Sequence, residues 1–262
     1  MLLTLSPSKT LADAAEPPLP DGVEPTEPRL LDRSERLVKR LRKFSKPKLA
    51  ELMGVSDKLA ELNRARFQAW SRPFTAENSV PAVRAFRGDV YDGLAADDWT
   101  GEDLAFAQQR VRILSGLYGV LRPLDRIQPY RLEMGTRFPK ATKANPATLY
   151  EYWGEELSDR LKADLAALDG EPVLLDLASR EYAKAVPLPD VRTITPAFKE
   201  ERDDGPPRVI ALFAKQARGA MARWVVKARV TSPDGLPEFD GLGYRYQSDL
   251  SQPDAPVFTR RR

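Results

Sequence analysis

Residues 2–10 read Leu2-Leu3-Thr4-Leu5-Ser6-Pro7-Ser8-Lys9-Thr10, a short apolar run followed at once by a polar turn. Such a run, closed by a proline, is typical of a buried strand with the turn at its carboxyl end. Further strand-like runs at 172–177 and 191–198 alternate with amphipathic helical patterns along the chain. The pattern predicts a single α/β domain over residues 1–262, with a mixed β-sheet surrounded by helices.

The composition excludes several kinds of chemistry. The 262 residues include no Cys and no His, so thiolate nucleophiles, Ser-His-Asp triads and the usual zinc ligands are absent. We therefore expect no metal site and no bound cofactor, and function depends on carboxylates, amines, guanidinium groups and hydroxyls. No apolar run approaches the ~20 residues of a membrane helix. We expect a cytoplasmic protein without membrane contact.

Charge is unevenly distributed along the chain. The 41 basic and 38 acidic residues give a net charge of +3. Residues 11–28 hold five acids and no base, whereas residues 208–231 hold six bases and no acid. Five prolines among these acids predict that residues 12–28 form an extended loop. A basic surface beside an acidic segment is compatible with a polyanionic partner.

One glycine-rich stretch suggests a phosphate-binding turn. It follows an amphipathic helical pattern and consists of Ser115, Gly116, Leu117, Tyr118 and Gly119. Two glycines permit a tight turn, and the amides that follow, next to Arg122, would then start a second helix and bind phosphate. Residues 102–128 therefore resemble a helix-hairpin-helix that grips the DNA backbone. An ordinary helix–helix turn has the same pattern.

A second basic segment lies near the carboxyl terminus. Lys215, Arg218 and Arg223 fall on one side of a predicted helix that follows an apolar strand,. Ligand sites of α/β proteins often lie at the carboxyl ends of the strands. We expect a cleft there that this helix lines, and Lys9, in the turn after the first strand, would be a further cation in it. A solvated helix face without a ligand is the structural alternative.

The main alternative to DNA binding is an enzyme of unassigned reaction, acting on a phosphorylated or carboxylated small molecule. The candidate pocket residues are Ser6, Lys9, Asp57, Lys58, Asp89, Tyr91, Arg131, Glu133 and Lys215. These side chains would equally suit an internal ion-pair network. Geometry discriminates the functions: a deep pocket containing Lys9, Asp89 and Lys215 favours the enzyme, and a long arginine-walled groove favours DNA.

Several segments together resemble the YaaA family of bacterial peroxide-stress proteins, over about residues 1–250. The segments are Leu5–Leu11 (LSPSKTL), Ser56–Ala60 (SDKLA), Phe86–Tyr91 (FRGDVY), Leu114–Asp125 (LSGLYGVLRPLD), Gln128–Gly135 (QPYRLEMG), Leu149 and Tyr150 with Trp153, Leu177–Ser179 with Glu181 and Tyr182, and Ala214 and Lys215 with Ala217–Gly219. The first segment departs mildly from the family pattern, because Ser8 replaces an alanine.

The resemblance implies a protein that limits peroxide damage by lowering free intracellular iron. It also implies DNA binding through a helix-hairpin-helix and a positively charged cleft. Because such a hairpin contacts phosphates and not bases, we expect the binding to be insensitive to sequence. On this basis DNA binding is the favoured interpretation and an enzyme is the alternative. The sequence does not indicate an oligomeric state.

The composition leads to a redox prediction. Because the chain has neither thiol nor imidazole, the purified protein is expected not to consume peroxide catalytically and to bind ferrous iron weakly at most. Isothermal titration calorimetry with Fe(II) under anaerobic conditions is the measurement. Tight stoichiometric binding would contradict the prediction.

Overall fold

The computed structural model describes residues 1–12, 17–139, 142 and 146–261. Twelve strands, β1 to β12 in chain order, lie within these residues. They are Leu2–Leu5, Thr10–Leu11, Val80–Pro81, Phe86–Arg87, Val111–Ser115, Gly119–Leu121, Arg126–Ile127, Val173–Asp176, Arg192–Ile194, Ala197–Glu200, Arg245–Tyr246 and Val257–Arg260.

Ten α-helices, α1 to α10, accompany these strands within the described part of the chain. They are Leu31–Leu41, Lys46–Met53, Asp57–Ala69, Ala82–Ala85, Asp89–Leu94, Gly101–Arg110, Leu149–Trp153, Glu156–Ala166, Arg180–Ala183 and Ala211–Lys227. Short 3₁₀ turns lie at Ala96–Asp98, Pro233–Glu238, Gly241–Gly243 and Ser248–Leu250. None of the described helices combines the length and the hydropathy that a membrane crossing requires.

The central sheet has five strands in the order β6-β5-β1-β8-β9. β1 runs parallel to both β5 and β8, β8 runs parallel to β9, and β6 is antiparallel to β5. β1 is buried along its whole length, which explains why its residues other than Thr4 are apolar instead of alternating with polar ones. The predicted α/β fold with a mixed sheet is confirmed.

The connections leave a crevice at one edge of this sheet. The chain leaving β1 leads eventually to β5 on one side, whereas the chain leaving β8 leads to β9 on the other. The segments that follow β1 and β8 therefore diverge, and a cleft remains between them at the carboxyl ends of the strands. The short antiparallel pair β2–β4 holds the turn after β1 beside Gly88, because Thr10 pairs with Arg87.

Two glycines allow direct backbone contact between α5 and α10 beside this cleft. A methyl group at Gly219 would lie 1.8 Å from the Val90 carbonyl oxygen, and one at Gly93 would lie 2.0 Å from the Gln216 carbonyl oxygen. No side chain larger than hydrogen fits at either crossing point. The middle of α10 consequently lies directly against α5.

The predicted helix-hairpin-helix over residues 102–128 is wrong. α6 ends at Arg110, and the chain enters β5 at the next residue. Residues 116–118 form the turn of the β5–β6 hairpin, with Gly119 at φ +74°. The apolar spacing at Leu104, Ala107, Val111 and Leu114 fits both a continuous helix and a helix that passes directly into a buried strand.

Other boundaries also differ from the sequence prediction. The pattern of residues 89–91 predicts a strand, but they begin α5. Residues 130–138 alternate like a strand in sequence but form no extended strand. The predicted loop 12–28 carries neither helix nor strand among its described residues, and 13–16 lie outside them. The loop is nevertheless tied to the core, since the Thr26 amide donates to the Leu124 carbonyl at 2.9 Å.

The α5–α10 crossing provides a stability prediction. Gly219→Ala is expected to lower the free energy of unfolding by about 1–3 kcal/mol, because the new methyl group forces the two backbones apart. Urea denaturation measures the change. Gly101→Ala is the matched control, since its methyl group would meet Val23 at an ordinary 3.4 Å; equal stability of the two variants would show that the crossing tolerates a side chain.

Candidate active site

A pocket of about 450 Å³ opens in the crevice between the ends of β1 and β8. Its volume suits a small molecule. Five segments build it: the turn after β1, the start of α5, residues 130–133, the segment from β8 through α9, and α10. The lining residues are Ser6, Pro7, Ser8, Lys9, Thr10, Gly88, Asp89, Val90, Tyr91, Tyr130, Arg131, Leu132, Glu133, Leu177, Ser179, Glu181, Tyr182, Lys215 and Arg218.

Hydrogen bonds to Ser6 fix the floor of the pocket. The Tyr91 hydroxyl donates to the Ser6 carbonyl at 2.9 Å, and the Ser179 amide donates to the Ser6 hydroxyl oxygen at 2.8 Å. Burial raises the pKa of Tyr91 well above its ordinary value, so the phenol stays protonated and acts as a donor. The ends of both strands are thereby joined at one residue.

Two groups of ion pairs lie among the lining residues of the pocket. Lys9 lies 2.9 Å from one Glu133 oxygen and Arg131 lies 3.3 Å from the other, while Lys215 lies 3.1 Å from Asp89. The side chains of Lys9 and Lys215 are 60% and 55% exposed. Because exposed pairs contribute little to stability, an incoming anion can recruit either ammonium group at small cost.

A buried carboxylate supports the back of the pocket. Asp176 ends β8 and accepts hydrogen bonds from the Thr4 hydroxyl at 2.8 Å and from the Ala178 amide at 3.0 Å. Burial raises its pKa, against the effect of these bonds and of Arg218. Arg218 itself donates to the Ala178 carbonyl at 3.1 Å, which leaves its other N–H groups for the pocket.

The structure brings together seven of the nine predicted pocket residues. Ser6, Lys9, Asp89, Tyr91, Arg131, Glu133 and Lys215 line the cavity. Asp57 and Lys58 do not: both are exposed at the start of α3, where Asp57 pairs with Lys46 at 3.1 Å. They were included because charged residues stand there beside apolar ones, and the structure shows that this segment is a helix start capped by Ser56.

The residues predicted to bind DNA separate into three groups. Lys9, Lys215 and Arg218 line the pocket. The hairpin residues Ser115, Gly116, Leu117, Tyr118 and Gly119 are all buried, and the turn packs so closely that a methyl group at Gly116 would lie 2.2 Å from the Leu132 carbonyl oxygen.

The two remaining cations of the DNA-binding set are held by acids outside the pocket. Arg122 pairs with Asp125 at 2.8 Å, and Arg223 pairs with Asp98 at 2.5 Å. The predicted surface is therefore not assembled in this conformation. The close packing of Gly116 against the Leu132 carbonyl holds residues 131–133 in place as one side of the pocket.

Six polar residues of the pocket were not in the predicted pocket set: Ser8, Thr10, Tyr130, Ser179, Glu181 and Tyr182. In the sequence they stand only within segments that carry the family resemblance. Ser179 does precede α9, although its side chain makes no capping bond. The sequence does not show that β1 and β8 are parallel neighbours. This pairing places the carboxyl ends of both strands at the same edge of the sheet and so brings these residues to the pocket.

The acidic side chains of the pocket already have partners. Glu181 accepts from the Gly135 amide at 2.8 Å, and Glu133 and Asp89 are ion-paired. Within the described residues, no group of three or more acidic side chains is placed to hold a metal ion.

Comparison with known proteins identifies the family. The family model described as peroxide stress protein YaaA matches residues 1–250. The chain belongs to the YaaA family. It is 50% identical to a UPF0246 protein of Dechloromonas aromatica (strain RCB), over 100% of this chain and 99% of the relative. It is 47% identical to a UPF0246 protein of Cellvibrio japonicus (strain Ueda107), over 99% and 98% of the two chains. All of the pocket lies within the stretch that the YaaA model matches.

Tyr91 provides a test of the pocket floor. Tyr91→Phe keeps the ring stacked on Phe86 but removes the donor to Ser6, and is expected to cost about 1–2 kcal/mol of unfolding free energy. Chemical denaturation measures it. Tyr246→Phe, a half-buried tyrosine packed on Phe258, is the control. A Tyr91→Phe protein as stable as this control would contradict the proposed anchoring of Ser6.

Proposed function

We propose that this YaaA-family protein is an enzyme that acts on a phosphorylated or carboxylated small molecule in the pocket between β1 and β8. The observation that supports the proposal is the convergence of Lys9, Asp89 and Lys215 on one cavity of about 450 Å³. A duplex is too wide for such a cavity, whereas a metabolite of ordinary size fills it.

The side chains divide into groups that bind and groups that transfer protons. Arg131 and Arg218 are permanently charged and suit recognition of a carboxylate or phosphate. Asp89 and Glu133 are the carboxylates that can accept a proton, and Lys215 and Lys9 are the ammonium groups beside them. When a substrate anion takes over the ammonium group, the carboxylate is released to act as a base.

The family assignment supplies the physiological setting. The family model is described as a peroxide stress protein. The proposed reaction would therefore help the cell to survive peroxide stress. A lower level of free iron, the effect that the resemblance implies, would then follow from the product or the consumption of a metabolite.

DNA binding is the second candidate function. The observation that favours it is the exposure of Lys9 and Lys215 at the pocket mouth, in a chain of net charge +3. In this alternative the phosphate backbone lies across the mouth, and affinity falls steeply with salt and is insensitive to base sequence.

The enzyme proposal is tested by removing single charges from the pocket. A thermal-shift panel of phosphorylated and carboxylated metabolites first identifies a ligand. Asp89→Asn is then expected to lower its turnover about 10²–10⁴-fold, as loss of a general base does. The variant is also expected to fail to restore peroxide survival in a bacterium that lacks its own family member.

Two further variants complete this experiment. Lys215→Met is expected to weaken ligand binding at least about tenfold through loss of a charge-assisted contact. Lys58→Met removes the same charge from an exposed position outside the pocket and is expected to behave like the parent. Full rescue by Asp89→Asn, or equal effects of the two lysine variants, would exclude the proposed site.

A further inference from the structure

A second cavity, the basic cleft, lies beyond the pocket between α1, α2 and residues 135–139. Its volume is about 1070 Å³, and its cationic side chains are Arg40, Lys43, Lys48 and Arg137. Glu51 is the one acidic residue in its described lining. The basic cleft therefore carries a larger excess of positive charge than the pocket, in which four cations face three carboxylates.

Most cations of the basic cleft lack an ion-pair partner among the residues that the structure describes. In contrast to Lys9, Arg131 and Lys215, none of Lys43, Lys48 and Arg137 forms an ion pair within the described part of the chain. All three side chains are exposed. Like charges gathered around one concave surface raise its potential, because the cavity walls restrict screening by water.

Two packed aromatic rings form the floor of the basic cleft. Phe44 packs on Phe138 with 6.3 Å between ring centroids, and the Arg40 guanidinium lies 4.0 Å above the Phe138 ring. Arg40 also donates to the Pro146 carbonyl at 2.9 Å. A cation held in one position by a ring and a carbonyl loses little freedom when it binds an anion.

A bridging cavity joins the basic cleft to the pocket. It shares Arg131, Glu133 and Glu181 with the pocket and Gly135 and Thr136 with the basic cleft. The three cavities thus adjoin one another along the segment 131–136. A ligand that spans the bridging cavity would contact the ion pairs of the pocket at one end and the cations of the basic cleft at the other.

We propose that the basic cleft binds a phosphate or pyrophosphate group of the substrate, and that the reacting part of the same molecule occupies the pocket. This inference rests on the proposed function and adds a substrate class: an extended phosphorylated molecule, held by an anionic handle remote from the reacting atoms. Binding energy from such a handle positions the reacting end.

The test uses inorganic pyrophosphate and isothermal titration calorimetry on the full chain. The parent is expected to bind it, more weakly as salt is raised. The double variant Lys48→Gln with Arg137→Gln is expected to lose at least about tenfold in affinity, the effect of removing charge-assisted contacts. The control, Lys39→Gln with Arg64→Gln, removes two charges that pair with Glu35 and Glu61 elsewhere and is expected to bind like the parent.

The remaining outcomes separate this inference from the proposed function. Loss of pyrophosphate binding in Lys215→Met but not in the cleft variant would place the anion in the pocket, which overturns the inference and leaves the function intact. Equal losses in the two double variants, or no binding by the parent, would also overturn it. A labelled single-stranded oligonucleotide that binds through the cleft residues and is not displaced by pyrophosphate would assign the cleft to a nucleic acid, against the inference.

Discussion

The site depends on the backbone contact between α5 and α10. Gly93 and Gly219 let the two helices approach without intervening side chains, and this approach places Lys215 beside Asp89. α5 in turn carries Tyr91, whose hydroxyl holds the end of β1. Any residue larger than glycine at the crossing would displace both the ion pair and the pocket floor. The same helix contact therefore determines both the packing of the fold here and the arrangement of the pocket side chains.

The glycine-rich stretch 115–119 has a comparable role on the opposite wall. It is a buried β-hairpin turn whose Gly116 contacts the backbone at Leu132. Tyr118 and Tyr130 pack edge to face beside it, and Tyr130 shares a 2.6 Å hydrogen bond with Ser115. The stretch thus supports residues 131–133, which present Arg131 and Glu133 to the pocket. A pattern that resembles a DNA-binding hairpin here serves to position pocket residues.

Features of the fold that depend on local sequence patterns were predicted correctly more often than features that depend on long-range contacts. β1 and β8 were predicted because short, mostly apolar runs are typical of buried strands in a parallel sheet. The passage from α6 to β5 was not predicted, because Val111 and Leu114 satisfy both periodicities. Most of the predicted pocket residues do lie together, because polar residues that follow parallel strands meet at the same edge of the sheet. Glu181 and Tyr182 were missed because the pairing of β1 with β8 is a long-range fact that no local pattern contains.

The acids near the far end of α10 shape the field that surrounds the molecule. Arg223, Lys227 and Arg229 form ion pairs with Asp98 and Asp103, so two of the three positive charges at this end are neutralised. Lys43, Lys48 and Arg137 of the basic cleft form no ion pair among the described residues and keep their charge. The pairing of charges within the protein thus steers an incoming anion toward the basic cleft.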